Sequence, residues 1–412
     1  MYLVVIHVPI YLRDNECLIA TDWKRSLFLL RDSFGGRFGR IQVLAPSLDA
    51  RVTPADQPLE PLAKHDEIDL FPSFRYDTRA RDFWREHVHT WNRQVNELVP
   101  RASVVHAGFC DVYRPLMFIG FMAGMRAGKT TVFVQDTDHV LQQRELNAHA
   151  PWRKRVQSRA YSELFERSVR YGVSHASLSL LKGRALHARY GRYAKNAKNF
   201  HDTSYLSGEI VPLARVEQRC AELVSRQRPV RLVYCGRLTA RKGLDESIDA
   251  LMRARAQGAA VTLDIIGDGA ERAALERQAQ HLGAGSAITF HGMRRYGADL
   301  IADLASYDAL FFTPTAEDTP RMIFDGYAAG LPLLGYGIDY VRERVQEDGA
   351  ARAVTAGDPA AAAALLCQLD RDRESLVSLA LRAHEAARYH AADAWYRRRA
   401  EWTYEAAGHV PA

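Results

Sequence analysis

The chain has 412 residues, 47% of them hydrophobic and 25% charged, with a formal net charge of +6. That length exceeds one ordinary core and suits two domains of about 200 residues each, and the composition excludes a disordered or fibrous chain. The surplus of positive charge favours anionic company, phosphorylated substrates among them. It is scattered, however, and no zinc knuckle or RNA-binding aromatic signature accompanies it, so nucleic acid is not expected as a partner.

Five cysteines, Cys17, Cys110, Cys220, Cys235 and Cys367, stand far apart without a CxxC pair. They predict a reducing compartment and neither a disulfide framework nor a structural zinc. The N-terminus, MYLVVIHVPIYLRDN, lacks a basic leader and reads as a first strand. The most apolar run, Leu116 to Met125, is followed by Arg126 and Lys129 and is too short to span a bilayer. The expectation is a cytoplasmic protein, with peripheral contact at the inner face of a membrane left open.

In chain order, β-rich runs occur at Tyr2–Val8, Ile41–Ala45, Ser103–His106, Thr130–Gln135 and Val173–Leu178. Between them Trp84, Val88, Trp91, Val95 and Leu98 recur at spacings of four and three, the stripe of an amphipathic helix. The second half repeats the alternation, with strands expected at Arg231–Cys235, Val261–Gly267, Ala287–His291, Ala309–Thr313 and Leu331–Gly335. Strand and helix in alternation predict an α/β chain of two Rossmann-like, doubly wound parallel-sheet domains. The break falls between Ser204 and Pro229, beside a charged helix at Arg215–Arg226. The expected division is 1–210, 211–387 and a terminal helical segment, 388–412, packing back on the first domain. Two such domains facing each other bind ligands in the cleft at the carboxyl ends of their strands.

Three short patterns point elsewhere. Ala123 to Thr130, AGMRAGKT, nearly spells a phosphate-binding loop, but it lies after a helix and before a strand, the reverse of what that loop requires. Gly267-Asp268-Gly269 follows a strand and opens a helix, yet Arg272 occupies the third glycine position of a dinucleotide fingerprint. Asp136-Thr137-Asp138 is a DxD at a strand end; two carboxylates can hold a divalent metal, and the alternatives are an acceptor-side acidic pair or a solvated loop.

The stretch RLVYCGRLTARKGLDESIDAL carries more information. Gly236 permits a tight turn, Arg237 stands at a strand's carboxyl end, and Lys242 precedes a helix N-terminus. Two fixed cations beside the positive end of a helix suit a pyrophosphate. Downstream, TPTAEDTPRMIFDGYAAGLPLLGY places Glu317 in a loop at another strand end. Asp318 or Thr319 is positioned to cap a helix that begins at Pro320. Asp325 then falls about a turn and a half into that helix, and eight helical residues advance ~12 Å.

Taken together, CGRLTARKGLDESIDAL, IIGDGAERAALE, ITFHGM and EDTPRMIFDGYAAGLPL resemble the donor half of family-4-type retaining glycosyltransferases of GT-B fold. The resemblance is firm from Arg231 to Gly335. It implies that Arg237 and Lys242 hold a donor diphosphate, that Glu317 meets the transferred sugar and that Asp325, one methylene shorter than the usual glutamate, binds the ribose. Gly236, Gly267, Asp268, Gly269, Met293, Thr319, Pro320 and Arg321 would complete the substrate contacts, with the base near the Gly267–Gly269 turn and Met293. The implied substrate is a UDP- or GDP-sugar, without a required metal or other cofactor, and the partner is a saccharide or lipid-linked acceptor. The N-terminal half departs from the family pattern: His7-Val8-Pro9-Ile10 stands where a glycine-rich loop is common, and Gly35-Gly36 reads as a helix end. His106, Asp136 and Asp138 are the acceptor-side candidates. A nucleotide-sugar epimerase and a catalytically silent GT-B protein in a polysaccharide assembly complex are the alternatives.

Overall fold

The computed structural model describes residues 1–14, 16–52, 58–140, 143, 151–316 and 318–408. The chain divides into two compact units, Met1–Phe200 with Tyr396–Ala412, and His201–Trp395. Among the described residues each unit holds one sheet, of ten strands and of six.

The first sheet comprises β1 (Tyr2–Val5), β2 (Ile10–Arg13), β3 (Glu16–Ala20), β4 (Ile41–Asp49), β5 (Leu59–Pro61), β6 (Ile68–Arg75), β7 (Val104–Gly108), β8 (Thr130–Gln135), β9 (Leu178–Lys182) and β10 (Ala197–Phe200). Its parallel body runs β10-β9-β8-β7-β1-β4, with β6 on the far side of β4. Two expectations change here. The strand expected at Val173–Leu178 is displaced, because helix Trp152–His175 runs through Val173 and β9 starts only at Leu178. Both residues are buried, so an apolar run alone could not separate helix end from strand start. After β1 the chain forms neither a glycine-rich loop nor a plain connection. It builds the antiparallel pair β2–β3, with Asp14 at φ 47° at the turn.

The near-phosphate-loop AGMRAGKT has a packing explanation. Helix Leu116–Arg126 lies on β1 and β7, and a Cβ at Gly120 or Gly124 would come within 2.8 Å of Val5 or 2.9 Å of Val105. Of the amphipathic stripe, Trp91, Val95 and Leu98 are buried in helix Val88–Leu98. Trp84 lies outside it, half exposed, and donates its indole N–H to the Tyr113 carbonyl at 2.8 Å. From Tyr396 on, the terminal helix Ala392–Ala406 belongs to the first unit, where the Tyr404 hydroxyl donates to the Phe34 carbonyl at 2.6 Å.

The second sheet is wholly parallel: β11 (Val230–Cys235), β12 (Val261–Ile266), β13 (Ile288–Gly292), β14 (Ala309–Phe312), β15 (Leu333–Tyr336) and β16 (Ala351–Val354). The spatial order is β13-β12-β11-β14-β15-β16. Its central strands are buried on both faces, as the unbroken apolar run of Ala309–Phe312 requires. The charged helix appears as Leu213–Val224 and belongs to this unit. Its Arg219 is buried and donates to the carbonyls of Ala305, Ala329 and Gly330, closing the end of helix Met322–Ala328.

Near the end of this unit a buried charge cluster ties three segments together. Arg344, with no exposed side-chain surface, pairs with Glu343 at 2.6 Å, Glu347 at 2.7 Å and Asp348 at 2.8 Å. His390 bonds Asp348 at 2.9 Å, and His201 lies 3.4 Å from Glu343 and 3.1 Å from the Tyr340 hydroxyl. The Arg344 guanidinium occupies the space between carboxylates that could otherwise gather a cation. Burial pushes the His201 pKa from 6.5 to about 4, with Glu343 opposing and Arg344 and His390 reinforcing. The unfolded chain therefore binds the extra proton first, and stability falls as pH drops from about 6.5 towards about 4. The melting midpoint is expected to decline through that window and to decline less in His201→Asn; equal slopes for both proteins would contradict the assignment.

Candidate functional site

In the second unit the strand order runs outward in both directions from the β11–β14 pair. Such a reversal leaves a crevice outside the carboxyl ends of the two strands. Its floor is backbone. Gly236 N–H donates to the Ile266 carbonyl at 2.9 Å, Leu238 N–H to Asp268 at 2.9 Å, and Gly267 N–H to Gly292 at 2.8 Å. The loops leaving β11, β12 and β13 are thereby joined. Gly267 has φ 148°, and a Cβ there would lie 1.9 Å from the Gly236 carbonyl oxygen. At Gly269 the corresponding distance to the Leu238 carbonyl oxygen is 2.2 Å. Asp268 turns to its own loop, accepting from Gly269 N–H at 2.7 Å and from Arg272 at 3.3 Å.

The cations come from the loop after β11. Residues Ala240–Lys242 make a tight turn, and Gly243, at φ 62°, opens helix Leu244–Ala256. A Cβ at Gly243 would sit 1.9 Å from the Thr313 carbonyl oxygen. The buried Thr313 hydroxyl donates to the Gly243 carbonyl at 2.6 Å and accepts from Ser247 at 2.6 Å. Thr315 N–H adds a bond to the Arg241 carbonyl at 3.1 Å. The exits of β11 and β14 are therefore fixed against one another. Lys242 lies 5.6 Å above the Phe312 ring, its side chain 12% exposed, and its ammonium pairs with Asp318. Arg237 is exposed, and its carbonyl is held by the Tyr234 hydroxyl at 3.0 Å. Its guanidinium has no ion-pair or hydrogen-bond partner among the described residues.

The acidic block differs from expectation in two respects. Helix Met322–Ala328 starts two residues later than Pro320, with Arg321 at its N-cap and no side-chain cap. Asp318 does not cap it. Its carboxylate is engaged by Lys242, by Arg241 at 3.3 Å and by Thr319 N–H at 3.0 Å. Asp325 consequently stands in the first turn rather than a turn and a half into the helix. Asp325 is buried and accepts from the Tyr296 hydroxyl at 3.2 Å. It also neighbours Cys235, whose thiol burial pushes up to about 12, Asp325 adding to the effect. Pro320 is buried, Thr319 is exposed, and Arg321 reaches the Ser204 hydroxyl at 3.1 Å. Met293 is 68% exposed beyond β13. Glu317 lies outside the described residues. A hollow of about 260 Å³ behind the 239–244 loop carries Asp245 and Glu271, acids that would repel a diphosphate.

Residues 229–372 match the family model described as glycosyl transferases group 1. The matched segment lies wholly within the second unit. The Streptococcus gordonii UDP-N-acetylglucosamine–peptide N-acetylglucosaminyltransferase GtfA subunit is 30% identical over 123 residues, 30% of this chain and 24% of that protein. The Streptomyces kanamyceticus alpha-D-kanosaminyltransferase is 27% identical over 179 residues, 42% of this chain and 45% of that protein. The chain thus matches less than half the length of either relative. The crystal structure of Anabaena Alr3699/HepE in complex with UDP superposes with a TM-score of 0.64 at 16% identity, covering 97% of both chains. That likeness carries the fold: two doubly wound parallel-sheet units in one chain, the GT-B architecture.

Outside the group 1 segment, the acceptor-side candidates are not gathered into one cluster. His106 stands within β7, which runs two residues further than expected. Its Nδ1 meets the Tyr2 hydroxyl at 2.7 Å, and burial pushes its pKa down to about 3, which keeps the ring neutral. Asp138 is engaged by Arg189 at 2.8 Å, and Arg189 also pairs with Glu166. Asp136 is exposed at the carboxyl end of β8. It is near enough to His7 to oppose the burial that lowers that histidine's pKa.

Of the residues not singled out from sequence, Tyr234, Arg241 and Tyr296 contact the candidate site, and Asp318, expected only as a helix cap, pairs with Lys242. A tyrosine on a buried strand and an acid with the local form of a helix cap carry no pattern that announces these contacts. Because only backbone meets Gly267, Gly267→Ala is expected to cost at least about 2 kcal/mol and to lower the melting midpoint. Unchanged stability in that variant would show that the loops separate freely.

Proposed function

We propose that the chain transfers a sugar from a nucleoside-diphosphate sugar to a hydroxyl acceptor, with retention at the anomeric carbon, in the synthesis of a cell-surface polysaccharide or glycolipid. The observation that carries this reading is the convergence of Lys242 and the Arg237 loop at the β11–β14 strand ends, over a floor of close-packed backbone. Such a place accepts a compact, highly charged, rigid group, and a diphosphate is one. The matched group 1 segment contains every one of these residues. The donor's nucleoside would extend towards Asp325 and the β13 exit, with the ribose hydroxyls at Asp325 and the base beside Met293.

In the reaction the bond between the anomeric carbon and the diphosphate oxygen breaks while the acceptor oxygen bonds to that carbon on the same face. The acceptor's proton passes to the leaving diphosphate. Negative charge grows on that diphosphate, and Arg237 and Lys242 stabilise it without a metal. Glu317 orients the sugar. The acceptor is a saccharide or a lipid-linked saccharide. Exposed Trp152 beside Arg153, Lys154 and Arg155 suits the lipid-linked form at an anionic membrane surface, and the five free cysteines suit a cytoplasmic setting.

Screening UDP- and GDP-sugars by thermal shift identifies the donor, and release of the nucleoside diphosphate upon addition of acceptor measures transfer. Arg237→Ala is expected to slow transfer by about a hundred- to a thousandfold, the usual effect of removing one charge-stabilising group. An unimpaired variant would sink the diphosphate assignment. Conversion of the donor sugar in the absence of any acceptor would favour an epimerase instead.

A further inference from the structure

Asp318 is the unexpected member of the site. Its carboxylate receives Lys242, Arg241 at 3.3 Å and the Thr319 amide at 3.0 Å, while only 10% of its side chain remains exposed. Lys242 is 12% exposed and lies over the Phe312 ring, so the pair is shielded from water on both sides. In such surroundings an ion pair is stronger than at an open surface. The Tyr234 hydroxyl, which fixes the Arg237 carbonyl, feels the Asp318 charge as well. One protein carboxylate thus occupies Lys242, one of the two cations that the proposed reading assigns to the donor's diphosphate.

From this arrangement we infer that Asp318 is a built-in competitor of the diphosphate, which lowers the affinity of the site for donor and for the nucleoside diphosphate released after transfer. The inference rests on the reading that Lys242 binds the diphosphate. Lys242 carries one positive charge and cannot serve two anions fully. A diphosphate bears more negative charge than one carboxylate and displaces Asp318, but the lost pair is subtracted from its binding energy. When transfer is complete, Asp318 retakes Lys242 as the diphosphate leaves, so the contact speeds product departure. A carboxylate that served only the local turn would need the Thr319 amide and neither cation.

The test is calorimetric titration of the full chain with uridine diphosphate, and with guanosine diphosphate as a second probe. Asp318→Asn keeps the shape and the turn while removing the charge, and is expected to bind the diphosphate about fivefold more tightly, the effect of freeing one partly buried cation. Asp318→Glu restores the charge and should return the affinity towards that of the unaltered chain. Asp318→Ser, which retains an acceptor for the Thr319 amide, gives the same reading should the asparagine variant melt early. In a Lys242→Met background the Asp318 effect should vanish, the signature of a direct coupling. Unchanged or weaker binding by Asp318→Asn overturns the inference while leaving the donor site intact, and so does a gain that survives Lys242→Met. Absence of binding by the unaltered chain and Asp318→Asn alike, with either probe, overturns the donor-site reading and this inference with it.

Discussion

The backbone leaving β11 lies directly against the backbone leaving β12 and β14, with no space for a single side-chain carbon. The Gly236 carbonyl faces Gly267, and the Thr313 carbonyl faces Gly243, each at 1.9 Å from where a Cβ would stand. Everything else in the candidate site is positioned by those approaches. They bring the Arg237–Lys242 loop beside the β14 exit, start helix Leu244–Ala256 under Lys242, and leave peptide groups as the surface of the crevice. A side chain at either glycine would force the strand ends apart by more than any hydrogen bond there could offset.

Charge is then distributed over this fixed backbone in a graded way. Arg237 is exposed and its guanidinium has no partner among the described residues, whereas Lys242 is shielded and paired with Asp318. Asp325 is buried beneath Tyr296. Lys242 and Asp325 thus hold protein groups whose chemistry parallels that of a nucleotide: a carboxylate at the cation and a hydroxyl at the acid. This parallel links the diphosphate reading to the competition assigned to Asp318. By contrast, Arg344 pairs with three carboxylates of its own helix and its neighbour and lies beside two histidines, and the cluster binds the segments around His201 and His390 into the second unit.

Much of this was legible in the sequence because parallel strands buried on both faces leave continuous apolar runs, and because glycines at strand ends answer to backbone clashes. The four blocks from Cys235 to Leu333 pointed to the group 1 segment for that reason. What was not legible depended on side-chain partners distant in the chain. Asp318 before Thr319-Pro320 has the local form of a helix cap, and nothing local shows that Lys242, 76 residues earlier, takes its carboxylate. His106 read as a strand-end candidate, since the two residues that extend β7, Ala107 and Gly108, have no strong strand preference. The Val173–Leu178 strand failed because a buried helix end and a buried strand start share one apolar composition. The β2–β3 pair was not expected, because its strands are only four and five residues long.

The central claim is that a donor diphosphate lies at the carboxyl ends of β11 and β14, held by Arg237 and Lys242. A crystal structure of the chain with uridine diphosphate tests it most directly. The account predicts the diphosphate within about 3 Å of the Lys242 ammonium and the Arg237 guanidinium, over the Gly236–Gly267 backbone, with Asp318 released from Lys242. A diphosphate bound elsewhere, with the Lys242–Asp318 pair undisturbed, would contradict it.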